Sequence, residues 1–362
     1  MKFARVITLD DFIETYCKMK QRGIPFILSK LTFNDRLRTL SAFDTPRDKT
    51  SNWWTIPHIY KRWCYLVSGS TEINFQDYFF QKYFKGKKNL RILSLGTGSC
   101  KLELDLAKHS EFEKIVCIDI AKNLLEKAQE KANSENLSTI EFLCLDLYNY
   151  HFPEEHFDLV IFNSSLHHFK NIEKLLSEKV KFSLKKEGKL MINEYVGPDK
   201  LQFPDKQIKV INQGIQLIDK KYRKRSGTSI YKNKFYGSGL LRMYVADPSE
   251  CVESSQILPS IRKHFTILEE KPIGGNILMG VFKDIAYNFI EIDDEKEKIL
   301  QQLFKLEDEF IKDNPSDYLV GIYLNGKLEL HDTKFITTLN TNRIQKRAVI
   351  SMQNEFNKKR TN

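Results

Sequence analysis

The sequence predicts an α/β fold, a mainly parallel sheet with helices packed on both faces, and three observations carry that reading. Between Arg91 and Asp119 an apolar strand breaks into Gly96-Thr97-Gly98-Ser99-Cys100, enters a helix, and returns as Ile115-Val116-Cys117-Ile118. Further apolar runs at 139–145, 157–163 and 188–194 alternate with helical stretches. That alternation requires right-handed crossovers. The second strand ends in Asp119. An acid about 20 residues after a Gly-x-Gly turn, at the tip of the next strand, is placed to grip a ribose.

The elements follow in order. Residues 8–22 and 30–42 read as helices, and Ser51 to Pro57 as a loop opening another, with Thr55 as N-cap and Pro57 in its first turn. Trp53, Trp54 and Trp63 all fall here, either as packing within a helical layer or as a wall over a ligand. Strands are expected at 91–95, 114–119, 139–145, 157–163 and 188–194, and helices at 100–109, 121–134 and 170–184. The helix at 121–134 carries Leu124, Leu125, Ala128 and Ala132 on one face. The rhythm stops between 197 and 246, where Ile208, Ile211, Ile215 and Ile218 repeat at helical spacing.

Asp247-Pro248-Ser249-Glu250 reads as a helix start, with Asp247 as N-cap, Pro248 first and Glu250 as capping-box acid. Phe265–Glu270 and Asn276–Phe282, joined by Pro272-Ile273-Gly274-Gly275, read as an antiparallel pair. Residues 294–312 form an amphipathic helix with Ile299, Leu300, Leu303, Phe304, Phe310 and Ile311 inward. The expected organisation is a helical cover at 1–88, a catalytic domain at 89–292 with an insertion at 197–246, a C-terminal helix and extension at 293–330, and a loosely attached basic tail at 331–362.

Composition narrows the class. The chain has 362 residues, 41% hydrophobic and 29% charged, ordinary for a globular protein. No apolar run approaches the ~18 residues that span a bilayer. Asp10, Asp11 and Glu14 do not suit a secretory signal. Six scattered cysteines form no CxxC or Cys/His zinc pattern, so a reducing cytoplasm and no metal are expected. The net charge of +10 fits nucleic acid, an anionic substrate, an anionic membrane surface or simply a lysine-rich proteome. Part of it is concentrated at Lys220-Lys221-Tyr222-Arg223-Lys224-Arg225 and in the tail from Arg343 to Arg360.

Gly-x-Gly alone does not choose a cofactor. Cys100 fills the third position of a G-x-G-x-G turn and no G-x-G-x-x-G is present. That argues against a dinucleotide, whose pyrophosphate needs close approach to the helix N-terminus. Leu145-Asp146-Leu147 closes the third strand, Phe157-Asp158-Leu159-Val160-Ile161-Phe162 forms the fourth, and Asn163-Ser164-Ser165-Leu166-His167-His168-Phe169 follows. Leu184-Lys185-Lys186-Glu187-Gly188-Lys189-Leu190 is a helix end, a turn and a fifth strand. This order resembles class I S-adenosylmethionine-dependent methyltransferases over roughly 90–195, and to about 283 with the closing pair. Ser94 stands where many members carry an acid, and Cys100 where they carry a glycine. Asn52-Trp53-Trp54, Ser165 to Phe169, Glu194 to Pro198 and Asp247 to Glu250 are similar to a bacterial, largely uncharacterised subgroup.

The resemblance implies a Rossmann-like seven-stranded mixed sheet with an antiparallel final strand, a helical N-terminal cover and a helical insertion after the fifth strand. The implied cofactor is S-adenosyl-L-methionine. Gly96, Thr97 and Gly98 would admit its amino-acid half. Asp119, beside Ile120, would take the ribose hydroxyls, with helix capping as its other reading. Asp146 and Leu147 would flank the adenine, and Asn163 to Leu166 the sulfonium end.

Methyl transfer asks mainly for positioning, and a hydroxyl acceptor also needs a base. His167, His168 and Glu194 are the catalytic candidates, because they follow strand ends where open sheets hold ligands. Trp54, Tyr195, Tyr244, Asp247 and Glu250 are the acceptor-side candidates, with Met243 shaping the pocket. The expected partner is a small-molecule or sugar-like acceptor. RNA or protein is the alternative acceptor, with nucleic acid the less favoured partner, and a non-catalytic cofactor-binding protein is the third reading.

Overall fold

In a computed structural model of the chain, residues 4–28 and 52–326 are described, apart from the side chains of 21, 22 and 24–28. The helix expected at 30–42 and the tail expected at 331–362 lie outside the described residues. Seven strands are β1 (Leu90–Leu95), β2 (Phe112–Asp119), β3 (Ile140–Cys144), β4 (Phe157–Asn163), β5 (Leu184–Tyr195), β6 (Thr266–Gly274) and β7 (Tyr318–Leu324). They form one sheet in the order β3-β2-β1-β4-β5-β7-β6. The first five run parallel, and β7 is antiparallel to both of its neighbours.

The pleat sends alternate residues to opposite faces. Ile92, Ile115, Leu159 and Ile161 pack on one face with Leu102, Leu104, Leu125 and Ala128 of the helices at Lys101–Leu106 and Lys122–Ser134. Leu93, Leu95, Val116, Val160 and Phe162 pack on the other with Leu175, Leu176, Val180, Ile257 and Ile261. Burial on both faces is why these strands read as continuous apolar runs and not as alternations. Because β1 to β5 are parallel, the loops after them emerge along one edge. The strand order reverses between β1 and β4, which opens a crevice at that edge.

The closing strands differ from expectation. Asn276–Phe282 is not a strand: it holds a short helix, Leu278–Phe282. The partner of β6 is β7, which enters between β5 and β6 after the long helix Asp294–Ile311. The sheet therefore runs to Leu324, past the expected catalytic-domain limit at 292 and into the segment expected to be an extension. The cause is a tertiary contact. Glu307, buried on the long helix, accepts from Gly275 N (3.0 Å), Ile277 N (3.1 Å) and Leu278 N (3.1 Å). Its carboxylate serves as the cap of a helix whose own sequence offers none. A seven-residue apolar run cannot be assigned to strand or helix by its period alone. Glu307→Ala is expected to cost on the order of 3 kcal/mol in urea unfolding, since it strips three buried N–H groups of their acceptor. A change below ~0.5 kcal/mol would show that the helix stands without it.

The helical cover holds Leu9–Leu28, Pro57–Ser68 and Phe75–Tyr83. The first of these is tied to the 197–246 insertion and its surroundings by buried ions. Asp11 accepts from Gly239 N (2.8 Å) and Arg242 Nε (3.1 Å), and Glu14 pairs with Arg242 (2.8 Å) and Lys283 (2.5 Å). The insertion itself contains helices Asp205–Gln216 and Leu240–Ala246. Ile211 and Ile215 are buried in a core shared with Leu278, Val281, Leu300 and Leu303. Among the described residues no helix is long and apolar enough to cross a membrane.

Candidate active site

β1 ends in the glycine turn at the point where the sheet order reverses. Gly96 has φ +69°, and a Cβ there would stand 2.7 Å from Ser165 Cβ, so only glycine lets the β1 turn and the loop after β4 approach this closely. Gly98, at φ +55°, has open space where a Cβ would point. Gly96→Ala is expected to destabilise the fold by about 1–3 kcal/mol through overpacking and strain. Gly98→Ala should cost less, as strain alone. Urea unfolding of both variants checks this, and equal costs would deny the Ser165 contact its importance.

Asp119 spans the turn. Its Oδ2 accepts from Gly98 N and its Oδ1 from Ala121 N, each at 2.7 Å. The carboxylate thus ties the glycine turn to the residue before helix Lys122–Ser134. Thr97 and Ile120 flank it, half-buried. Asp146 accepts from Tyr148 N at 3.0 Å and is half-buried. Leu147 points into the core among Phe152, Val116 and Phe157 and not into the crevice. Asn163 Oδ1 accepts from Asn193 Nδ2 at 2.9 Å, which links the ends of β4 and β5.

The expected acid at position 94 is replaced in space. Ser94 Oγ donates to Glu103 Oε1 at 2.5 Å, and both residues are buried. Burial pushes the Glu103 carboxyl up to about 7, against the Ser94 hydrogen bond that favours its charge. Sequence reasoning missed Glu103. The available signal was an acid between Leu102 and Leu104 on a helix packed against the sheet.

On the acceptor side the loop after β4 carries His167 and His168 in a short turn, Leu166–His168. Glu194, near the end of β5, lies beneath it and is fully buried. Its Oε1 accepts from Ser165 N (2.6 Å) and Leu166 N (2.8 Å), and its Oε2 faces His167 Nδ1 at 2.7 Å. Both oxygens are engaged within the fold, so Glu194 holds the loop and orients His167 and is not placed as a base of its own. Burial works against charge on His167, yet the Glu194 hydrogen bond, with the charges of Glu194, Glu250 and Asp247, raises it above the ordinary histidine range. Burial and its charged neighbour His167 hold His168 below that range.

The expected helix at Asp247 is absent. Helix Leu240–Ala246 ends there, 247–250 makes a turn, and the next helix is Ile257–His264. Asp247 Oδ1 accepts from Ser249 N (3.0 Å) and Ser249 Oγ (2.7 Å), so the acid caps a turn instead of a helix. Glu250 is freed from a capping-box role. It comes within 4.0 Å of His167 Nε2 and 3.9 Å of His168 Nε2. Val252 N donates to His167 O at 3.1 Å and seats this turn on the β4 loop.

Tyr195 is buried, donates to Pro198 O at 3.0 Å and has its phenol pushed well up by burial, so it stays protonated. Its ring meets Tyr318, which packs in turn on Trp53 and Trp63. Trp53 is therefore core, whereas Trp54 is 41% exposed. Tyr244 is exposed beneath the Lys200 ammonium, 5.0 Å from its ring centre, and Met243 is buried. The structure brings His167, His168, Glu194 and Glu250 together. It leaves Trp54 and Tyr244 on the surface.

The model of the methyltransferase domain family matches residues 93–192. A malonyl-[acyl-carrier protein] O-methyltransferase from Acetivibrio thermocellus is 31% identical over 109 residues, which cover 30% of this chain and 37% of that protein. The uncharacterised methyltransferase YcgJ of Bacillus subtilis is 22% identical over 109 residues, covering 30% of this chain and 42% of its own. The chain thus spans about two fifths of the length of these relatives. A phosphoethanolamine N-methyltransferase 2 from Haemonchus contortus, solved with S-adenosyl-L-methionine, aligns with a TM-score of 0.44 at 16% identity over 75% of this chain and 57% of that one. The open space over Gly98, the carboxylate of Asp119 at the turn and the half-buried Asp146 beyond it fit a cofactor made of an amino acid, a ribose and an adenine. Residues 93–192 thus match a methyltransferase domain, set within a Rossmann-like seven-stranded mixed sheet.

Proposed function

We propose that the chain methylates an oxygen of a small molecule or sugar-like metabolite, in the cytoplasm. S-adenosylmethionine, when bound, supplies a methyl group on a sulfonium, so that a C–S bond breaks, a C–O bond forms, and neutral S-adenosylhomocysteine and a proton are released. The residues that would hold it are Gly96, Thr97, Gly98, Asp119, Ile120, Asp146 and Asn163.

The observation that carries the reading is the polar cluster beside this turn. Glu194 fixes His167 from below at 2.7 Å, while the 247–250 turn brings Glu250 over it from the insertion side. A nitrogen or sulfur acceptor that already carries its lone pair needs no such group, whereas a hydroxyl must lose a proton around the moment of transfer. The cluster is where that proton leaves the acceptor. Orientation of the acceptor falls to the same residues, since in-line placement supplies much of the rate of a displacement. All six cysteines are free, in keeping with a reducing compartment.

RNA or protein is the runner-up acceptor, and the basic run was its support. Two of the five cations in that run are paired with acids within the fold. Lys221 pairs with Glu295 at 2.6 Å, and Arg225 is buried against Asp284 (2.5 Å) and Asp10 (3.5 Å). The test is transfer of label from methyl-tritiated S-adenosylmethionine into a cell extract, followed by fractionation. The expected label is in small molecules, in a bond stable to mild acid and base, as an ether is. Label in RNA, with affinity falling steeply in salt, or in protein would install the runner-up. Cofactor binding with no transfer to any fraction would favour the non-catalytic reading.

A further inference from the structure

The cluster above the glycine turn has a pattern that a proton relay does not require. His167 Nδ1 is engaged by Glu194 Oε2 at 2.7 Å. His168 Nδ1 is engaged by Ser249 Oγ at 3.1 Å, and that hydroxyl already donates to Asp247 Oδ1 at 2.7 Å. Each partner can therefore only accept from its ring. Both Nδ1 atoms carry the hydrogen, and in the neutral rings both Nε2 atoms carry a lone pair. These two lone pairs face one carboxylate. His167 Nε2 stands 4.0 Å from Glu250 Oε1 and His168 Nε2 3.9 Å from Glu250 Oε2. The three donor atoms lie within 4.8 Å of one another. Cys251 Sγ lies 3.3 Å from Glu250 Oε1, close enough to steady the carboxylate.

We propose that His167, His168 and Glu250 form a binding site for one divalent transition-metal cation. Three electron-pair donors, two imidazoles and a carboxylate, converge at distances too long for hydrogen bonds to one another. A cation with ligands at about 2.1 Å sets them ~3.4 Å apart in a tetrahedron, so the two histidine–carboxylate separations close by about half an ångström and the widest, within 4.8 Å, by at most about 1.4 Å, which side-chain rotation supplies. The outer partners match what such sites use. A carboxylate, Glu194, orients one histidine and a hydroxyl backed by an acid, Ser249 on Asp247, orients the other, fixing tautomer and ring plane. Two nitrogens and one oxygen favour zinc, iron, cobalt or manganese over magnesium and calcium, which prefer oxygen. Three protein ligands leave positions open. His168 and Glu250 side chains are 16% and 32% exposed, so the site can be reached from solvent.

The expectation of no metal rested on cysteine spacing. It did not weigh two adjacent histidines against an acid 82 residues on. A cation here would lower the pKa of a hydroxyl set against it, and that role rests on the methyl-transfer reading. The binding itself does not.

The test uses the full chain stripped with EDTA and titrated with Co²⁺, followed by calorimetry and by visible absorption. One Co²⁺ per chain is expected. His168→Ala and Glu250→Gln should weaken it on the order of 100-fold, and Ser249→Ala about 10–100-fold. S-adenosylmethionine affinity, measured in parallel, should stay within about twofold, which also reports that the variants are folded. A second measurement needs no variant. Substoichiometric Mn²⁺ should selectively broaden the ring C–H resonances of two of the eight histidines. No stoichiometric Co²⁺ in the unaltered chain, wild-type binding by the variants, or uniform broadening would each overturn the proposal. If cobalt fails while S-adenosylmethionine binds, only the cation site falls. If S-adenosylmethionine fails while cobalt binds, the methyl-transfer reading falls instead.

Discussion

His167→Ala is expected to lower turnover about 10²–10⁴-fold while S-adenosylmethionine still binds within about twofold of its normal affinity. The imidazole is built into the β4 loop but supports no backbone group of the cofactor turn. Its Nδ1 is used by Glu194, and its Nε2 faces the acceptor side near Glu250. Removing it therefore takes away acceptor chemistry and leaves the Gly96 to Asp119 architecture in place. Glu194→Gln makes the informative contrast. Glu194 accepts from two backbone N–H groups and faces His167. An amide cannot accept at both ends, so its NH₂ either faces a backbone donor or drives His167 into the tautomer with its hydrogen on Nε2. Turnover should fall in the same range, and cofactor affinity should weaken as well, because the Ser165 side chain lies against Gly96 and donates to Leu95 O. Single-turnover rates and calorimetry on both variants check this. Near wild-type rates in both would mean that no group at these positions handles the proton, and would point to a nitrogen or sulfur acceptor.

Asp119→Ala is expected to weaken S-adenosylmethionine binding by on the order of 3 kcal/mol, or ~10²-fold, through lost charge-assisted hydrogen bonds. The same change releases Gly98 N and Ala121 N, so the empty protein should lose about 1 kcal/mol of stability as well. Measuring both quantities separates the two duties. Full stability loss with unchanged affinity would make Asp119 only a cap. NAD, tested beside the cofactor, should show no comparable affinity, since the turn lacks the third glycine that a pyrophosphate requires.

The parts of the site legible in the sequence are those set by neighbours in the chain. The turn at Gly96, the acid at the tip of β2 and the loop after β4 sit at fixed offsets from apolar runs, and strand periodicity alone puts their loops on one edge. What was not legible depends on distant partners. Asn276–Phe282 is helical because Glu307 reaches it from another helix. Tyr318-Leu319-Val320-Gly321-Ile322-Tyr323-Leu324 has strong strand composition, yet nothing local says that it inserts between β5 and β6. Asp247-Pro248-Ser249-Glu250 satisfies every local rule for a helix start and is a turn all the same. Val252 and Lys200 hold that segment on the β4 loop and on residue 251. Glu103 was invisible for a related reason, since its partner Ser94 lies on a strand nine residues earlier and the pairing exists only once the helix has packed.

The late insertion of β7 has a consequence for how the protein is made. β5 ends at Tyr195 and its neighbour begins at Tyr318, so well over a hundred residues leave the ribosome between them. During that interval the free edge of β5, lined by Leu190 and Ile192, has no strand to pair with and is a template for association with other chains. Contacts of such long sequence separation also slow folding. The sheet is thus closed by a strand made long after its neighbour, and emergence of Tyr318–Leu324, not completion of the glycine turn, sets the moment at which the sheet can become whole.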